Sequence, residues 1–91
     1  LHVDVTGRTV TIDEDRIQMT PKEFDLLIFL IQHKDQALSR DVLLDKVWNY
    51  NYYGDYRTVD THIKMLRQNL GTYRDYIVTV RGVGYKFEVI D

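Results

Sequence analysis

Ninety-one residues, 44% of them hydrophobic, suit one globular domain, leave no room for a second and argue against disorder. With no cysteine there is neither a disulfide framework nor a thiolate metal site, and the longest apolar run, Leu26 to Ile31, is six residues, far short of a bilayer span. The net charge of −2 hides a division: residues 1–55 carry six Lys/Arg against ten Asp/Glu, whereas residues 56–87 carry six (Arg57, Lys64, Arg67, Arg74, Arg81, Lys86) against two, so the second half is the one suited to a polyanion.

In chain order, residues 1–19 read as a small antiparallel sheet with one wet face. "LHVDV" and "TVTID" alternate apolar and polar around Gly7, and "RIQM" follows the acidic turn Asp13-Glu14-Asp15. No signal peptide is visible at this end, and a start at Leu1 rather than Met is expected of a fragment cut from a longer protein. The absence of cysteine fits a reducing, cytoplasmic setting.

"TPKEFDLLIFLIQHK" carries the strongest helix signal. Thr20 caps, Pro21 suits the first helical position, and Glu23 completes a Thr-x-x-Glu capping box. Phe24, Leu27, Ile28 and Ile31 then share one face for core packing. A second helix is expected from the cap Ser39, with Asp41 in its first turn and Leu43, Leu44, Val47 and Trp48 as an inward stripe. Residues 49–56 break the pattern with four tyrosines among Asn, Gly and Asp, a composition suited to covering a thin core or to a protein interface.

The third helix, residues 57–70, divides into two faces at about 100° per residue. Val59, Ile63, Leu66 and Leu70 turn to the core, while Arg57, Thr61, Lys64 and Gln68 lie opposite, flanked by Thr58 and Met65. Asp60, His62 and Arg67 stand at the borders. A solvated face ordinarily mixes charge signs; this one has two cations, a hydroxyl, an amide and no acid, the groups that read base edges and phosphates.

Gly71 sits at the expected helix end, and "YIVTV" and "YKFEV" form a hairpin, residues 76–89, around "RGVG". A dinucleotide-binding loop is excluded there, since Gly84 leads into a strand and not a helix. The glycines read as a turn or bulge, and Arg81 as the outward tip of a wing reaching a minor groove. Enzyme chemistry lacks its parts: the single serine is a cap, His2, His33 and His62 fall in different elements, and Asp13 to Asp15 is a solvated run. No catalytic residue, metal or cofactor is expected.

The blocks "MTPKEFDLLIFL", "SRDVLLDKVW", "RTVDTHIKMLRQNL" and "YIVTVRGVGYKF" resemble, in order and spacing over residues 20–87, the winged-helix DNA-binding domain of OmpR/PhoB-type response regulators. The resemblance implies an α+β winged helix-turn-helix filling residues 1–91. Its parts are an N-terminal sheet at 1–19, a three-helix core at 20–71 with the recognition helix at 57–70, and the wing. The family's sheet has four strands and three are legible, so the first is expected upstream of Leu1, as is a receiver domain.

The same resemblance implies sequence-specific binding of double-stranded DNA and control of transcription in a two-component phosphorelay. It places Asp60, Thr61 and Lys64 near bases in the major groove, and Met65 and Gln68 share that face. Arg57, Thr58, His62 and Arg67 match positions that touch phosphates or orient the helix; Trp48 matches one near the sugar-phosphate backbone. Thr79, Arg81 and Tyr85 match wing residues, with Arg81 in the minor groove and Thr79 at a phosphate. The loop at 49–56, with Tyr50, Tyr52 and Tyr53, matches the segment through which some members touch RNA polymerase.

Further partners implied are a direct-repeat operator bound as a tandem dimer of domains that are monomeric alone, and a sensor histidine kinase acting on the receiver domain; no membrane is implied. Two departures stand out. Met65 replaces a frequent arginine, favouring an apolar contact with a thymine methyl, and Asn49 replaces a common glycine. Asp60 also admits a second reading, holding a neighbouring arginine in place. Rival readings of the whole are a protein-interaction winged helix using the tyrosine loop, and a membrane-anchored or non-phosphorylated activator.

Overall fold

A computed structural model describes residues 1–49 and 56–90. The chain opens with three short antiparallel strands, β1 (His2–Asp4), β2 (Thr9–Ile12) and β3 (Asp15–Ile17), hydrogen-bonded in that order. Val3 pairs with Val10 and Val10 with Ile17, so one apolar residue from each strand lines up across the sheet. Since side chains alternate faces along a strand, that row is the sheet's inner face, and Val10 is fully buried.

α1 (Pro21–Gln32) starts where the capping box directs it. Thr20 Oγ1 accepts from the Glu23 amide at 3.2 Å, and Glu23 Oε1 accepts from the Thr20 amide at 2.8 Å. Phe24, Leu26, Leu27 and Leu30 enter the core. Next comes a strand that alternation did not reveal, β4 (Leu38–Ser39), followed by α2 (Arg40–Leu43) capped by Ser39 Oγ on the Val42 amide at 3.1 Å.

α2 departs from expectation. After four residues it widens into a π-helical stretch, Leu44–Trp48, and of the expected inward stripe only Leu43 and Trp48 are buried, Leu44 and Val47 being half-buried. In an α-helix residues five apart stand about 140° apart. The wider i→i+5 turn narrows that angle and brings both side chains inward.

α3 (Tyr56–Leu70) runs its full length as a regular helix and passes through a 3₁₀ turn, Gly71–Tyr76, into β5 (Ile77–Val80) and β6 (Gly84–Phe87). β4 pairs with β6, so the wing is a three-stranded sheet in the order β4-β6-β5. α1 packs on α3 and β6, placing the core between the helices and both sheets. Among the described residues no helix is long and apolar enough to cross a membrane.

Candidate nucleic-acid interface

α3 displays the two faces that its sequence dictates. Val59, Ile63, Leu66 and Leu70 are at most 1% exposed. On the other side Arg57, Thr61, Lys64, Met65 and Gln68 are all exposed. Among the described residues the side chains of Thr61, Lys64 and Gln68 have no hydrogen-bond or ionic partner, and Met65 is 42% exposed on a helix whose other large aliphatic side chains are buried. Hydrogen-bonding groups left to solvent in this way are available to another molecule.

The border residues, by contrast, are tied to the protein. His62 Nδ1 donates to the Thr58 carbonyl at 2.8 Å, and its ring meets Trp48 edge-on with centroids 4.9 Å apart. Asp60 Oδ1 accepts from the Tyr85 hydroxyl at 2.6 Å and lies 3.1 Å from Arg40 Nε. Burial, reinforced by this bond, raises the Tyr85 hydroxyl above the ordinary tyrosine value, so it stays a neutral donor at physiological pH. Arg67 donates to the Ile77 carbonyl at 2.7 Å and to Thr79 Oγ1 at 2.9 Å.

In the hairpin the two glycines do different things. Gly82 takes φ = +80° in the turn, a conformation L side chains rarely adopt. A Cβ on Gly84 would lie 2.1 Å from the Leu38 carbonyl oxygen, so its absence lets β4 pair with β6. Arg81 stands at the turn, exposed and unengaged by any described residue. An open cleft of about 590 Å³ separates the hairpin from the starts of α2 and α3. Tyr56 closes its far side, donating to Asp41 Oδ1 at 2.7 Å beneath the Arg40 guanidinium.

The residues expected at DNA therefore fall into three groups. Arg57, Thr61, Lys64, Met65, Gln68, Thr79 and Arg81 are exposed, and Thr58, Asp60, His62 and Arg67 are half-buried. Trp48 and Tyr85 are buried at 8% and 7% exposure, which leaves little ring surface for an outside partner. Tyr50, Tyr52 and Tyr53 lie outside the described residues. Sequence reasoning passed over Arg40, whose partner Asp60 is twenty positions away with no local pattern to announce it. No three His, Cys, Asp or Glu side chains gather as a metal ion would need among the described residues.

Comparison with known proteins accords with this geometry. Residues 13–87 match the family described as "Transcriptional regulatory protein, C terminal". The chain is 47% identical to the transcriptional regulatory protein ResD of Bacillus subtilis, over 98% of its own length but 39% of that protein's. It therefore spans about two fifths of the curated relatives it matches. Among solved structures, the DNA-binding domain of Bacillus subtilis CssR superposes with a TM-score of 0.85 at 35% identity, covering 94% of this chain and 97% of that one. The DNA-binding domain of the response regulator AdeR, solved in complex with an intercistronic region, superposes at 0.84 with 26% identity, covering 98% and 94%. With its three helices, two antiparallel sheets and wing, the chain belongs to the C-terminal DNA-binding domains of OmpR/PhoB-type transcriptional regulators.

Proposed function

We infer that this chain is the effector domain of a response regulator, binding operator DNA with α3 in the major groove and the β5–β6 tip in the adjacent minor groove. The observation that carries the reading is the outward side of α3: Thr61, Lys64, Met65 and Gln68 are exposed together, with no acid among them. Lysine suits guanine edges or phosphates, glutamine suits adenine, and the threonine and methionine methyls suit thymine. Arg57 and Thr58 stand where the helix start meets the backbone, and the exposed Arg81 carries the charge that a narrow minor groove attracts. That the AdeR domain was solved in complex with an intercistronic region supports DNA as the partner.

As one small module the domain buries about 600–1,000 Å² on DNA. Two copies in tandem on a direct repeat, joined through an upstream receiver domain that a sensor kinase phosphorylates, raise the effective concentration of the second contact. The setting is cytoplasmic, beside the chromosome.

Selection of bound fragments from a random duplex pool, followed by a salt titration, tests the reading. Affinity for the selected site is expected to fall by about 0.9 log units per decade of salt for each phosphate neutralised, and Arg81→Ala to weaken it. A flat salt response with Arg81→Ala unchanged would favour a protein-interaction winged helix instead. Replacing Tyr50, Tyr52 and Tyr53 together is expected to impair activation by RNA polymerase more than DNA affinity; an equal loss in both removes the polymerase contact.

A further inference from the structure

α3 holds the wing at one cross-strand pair and at the foot of the hairpin. Thr79 and Tyr85 face each other across β5 and β6. Asp60 takes the Tyr85 hydroxyl at 2.6 Å, while Arg67 donates to Thr79 Oγ1 at 2.9 Å and lies 5.7 Å from the Tyr85 ring centroid. Asp60 and Arg67 are seven residues apart, about two turns and 10 Å of helix. A grip at two points along an axis resists rotation as well as sliding. Arg40 braces the Asp60 carboxylate from α2, and Arg67 also engages the Ile77 carbonyl at the foot of the hairpin. The wing residue Arg81 follows only two positions beyond Thr79.

We propose that Asp60, Arg67, Thr79 and Tyr85 form a clamp that fixes the wing at one distance and angle from α3, making the domain selective for the number of base pairs between the major-groove and minor-groove elements of its operator. The proposal rests on the groove-and-wing reading above. It makes Asp60 and Tyr85 positioning residues, whose polar atoms face each other across the protein. B-DNA advances about 3.4 Å and turns about 35° per base pair. A rigid pair of contacts in register at one spacing is therefore displaced by a single inserted pair, whereas a hinged wing follows the groove.

The test uses three duplexes: the selected site, and the same site with one base pair added or removed between the two elements. Wild type is expected to lose about 5- to 100-fold on the altered duplexes, the scale of one mismatched position. Tyr85→Phe keeps the buried ring and deletes the hydroxyl; Thr79→Val deletes the acceptor for Arg67. In each variant the ratio of matched to altered affinity should shrink at least threefold, and further in the double variant. If affinity falls equally on all three duplexes, with the ratio preserved, the contacts are merely structural and the clamp is overturned. Asp60→Asn that loses discrimination at one base, with spacing preference intact, overturns it in favour of direct reading. Wild type indifferent to spacing, and Arg81→Ala without effect, overturns the clamp and the groove-and-wing reading together.

Discussion

α1 and α3 are amphipathic helices of 12 and 15 residues, and both send a leucine-rich side into the same core. They differ in what their remaining sides meet. On α1 the polar groups turn back onto the protein: Lys22 donates to the Val47 carbonyl at 3.0 Å, Glu23 accepts from Thr20 and Asn69, and Asp25 pairs with Arg8 at 2.9 Å. On α3 the border residues do so, as do Tyr56 and Asn69 near its two ends, whereas Thr61, Lys64, Met65 and Gln68 face outward. A helix whose polar groups are internally satisfied is a scaffold; one that leaves polar groups at the surface in one contiguous strip has kept them for a partner. The difference is not hydrophobicity of the inner side, where both are fully committed. It lies in where the hydrogen-bonding capacity goes.

Truncating one side chain on each side of α3 separates the two roles. Leu66, fully buried, should cost about 2–5 kcal/mol of unfolding free energy when replaced by alanine, through lost transfer energy and a residual cavity. Urea unfolding measures it. Lys64→Ala, two residues earlier and about 160° round the helix axis from Leu66, should leave stability within about 0.5 kcal/mol. It should cost roughly 1–3 kcal/mol of operator affinity and relax specificity at one base pair. Uniform weakening across all sequences would reassign Lys64 to a phosphate. A stability loss from Lys64→Ala comparable to that of Leu66→Ala would mean that the outward side is structural, and the distinction between reader and scaffold would fail.

Glu23 provides the matching experiment on the scaffold side. It is 6% exposed, and one carboxylate oxygen serves both the Thr20 amide at 2.8 Å and Asn69 Nδ2 at 3.3 Å. Removing it as Glu23→Ala leaves two donors unsatisfied near the junction of α1 with the end of α3, an expected loss of about 1–3 kcal/mol in stability. Operator affinity of the folded fraction should not change. A selective loss of affinity at unchanged stability would place Glu23 among the readers.

These cases also show what a linear sequence can disclose. The capping box is local: Thr20 and Glu23 are three apart, and the contact they make is written in that interval. The two faces of α3 are equally local, because a period of 3.6 residues fixes which side chains share a side. β4 has no such signature, for two residues are too few to alternate, and its existence depends on Gly84 arriving 45 positions later without a Cβ. The π-helical widening at Leu44–Trp48 is likewise invisible, since it follows from the core's need for both Leu43 and Trp48. The Asp60–Tyr85 bond spans 25 positions, so two residues that resemblance assigns to separate grooves lie against each other in the fold. Local codes reveal the elements; the contacts that set one element against another are fixed by packing.

The smallest expected effect lies in the N-terminal sheet, in the turn between β2 and β3. Ile12 pairs with Asp15, leaving Asp13 and Glu14 as a two-residue loop with φ of +51° and +73°. Positive φ at both central positions is the requirement of a type I′ turn, which favours Asn-Gly or Asp-Gly because the right-handed twist of the strands matches it. Asp13 suits the first position. Glu14 does not suit the second, since its Cβ crowds the neighbouring carbonyl at a cost of about 1–2 kcal/mol. Glycine there removes the crowding but gains more freedom in the unfolded chain, which returns about 0.5–1 kcal/mol. Glu14→Gly should therefore stabilise the domain by up to about 1 kcal/mol, seen as a rise of a few degrees in Tm. Glu14→Ala separates this from the loss of one negative charge, because alanine removes the charge but keeps the Cβ and should give no gain. Neither change should alter operator affinity beyond the small electrostatic shift that both share. An affinity gain confined to Glu14→Gly would mean that the N-terminal sheet communicates with α3, and the scaffold would no longer be passive.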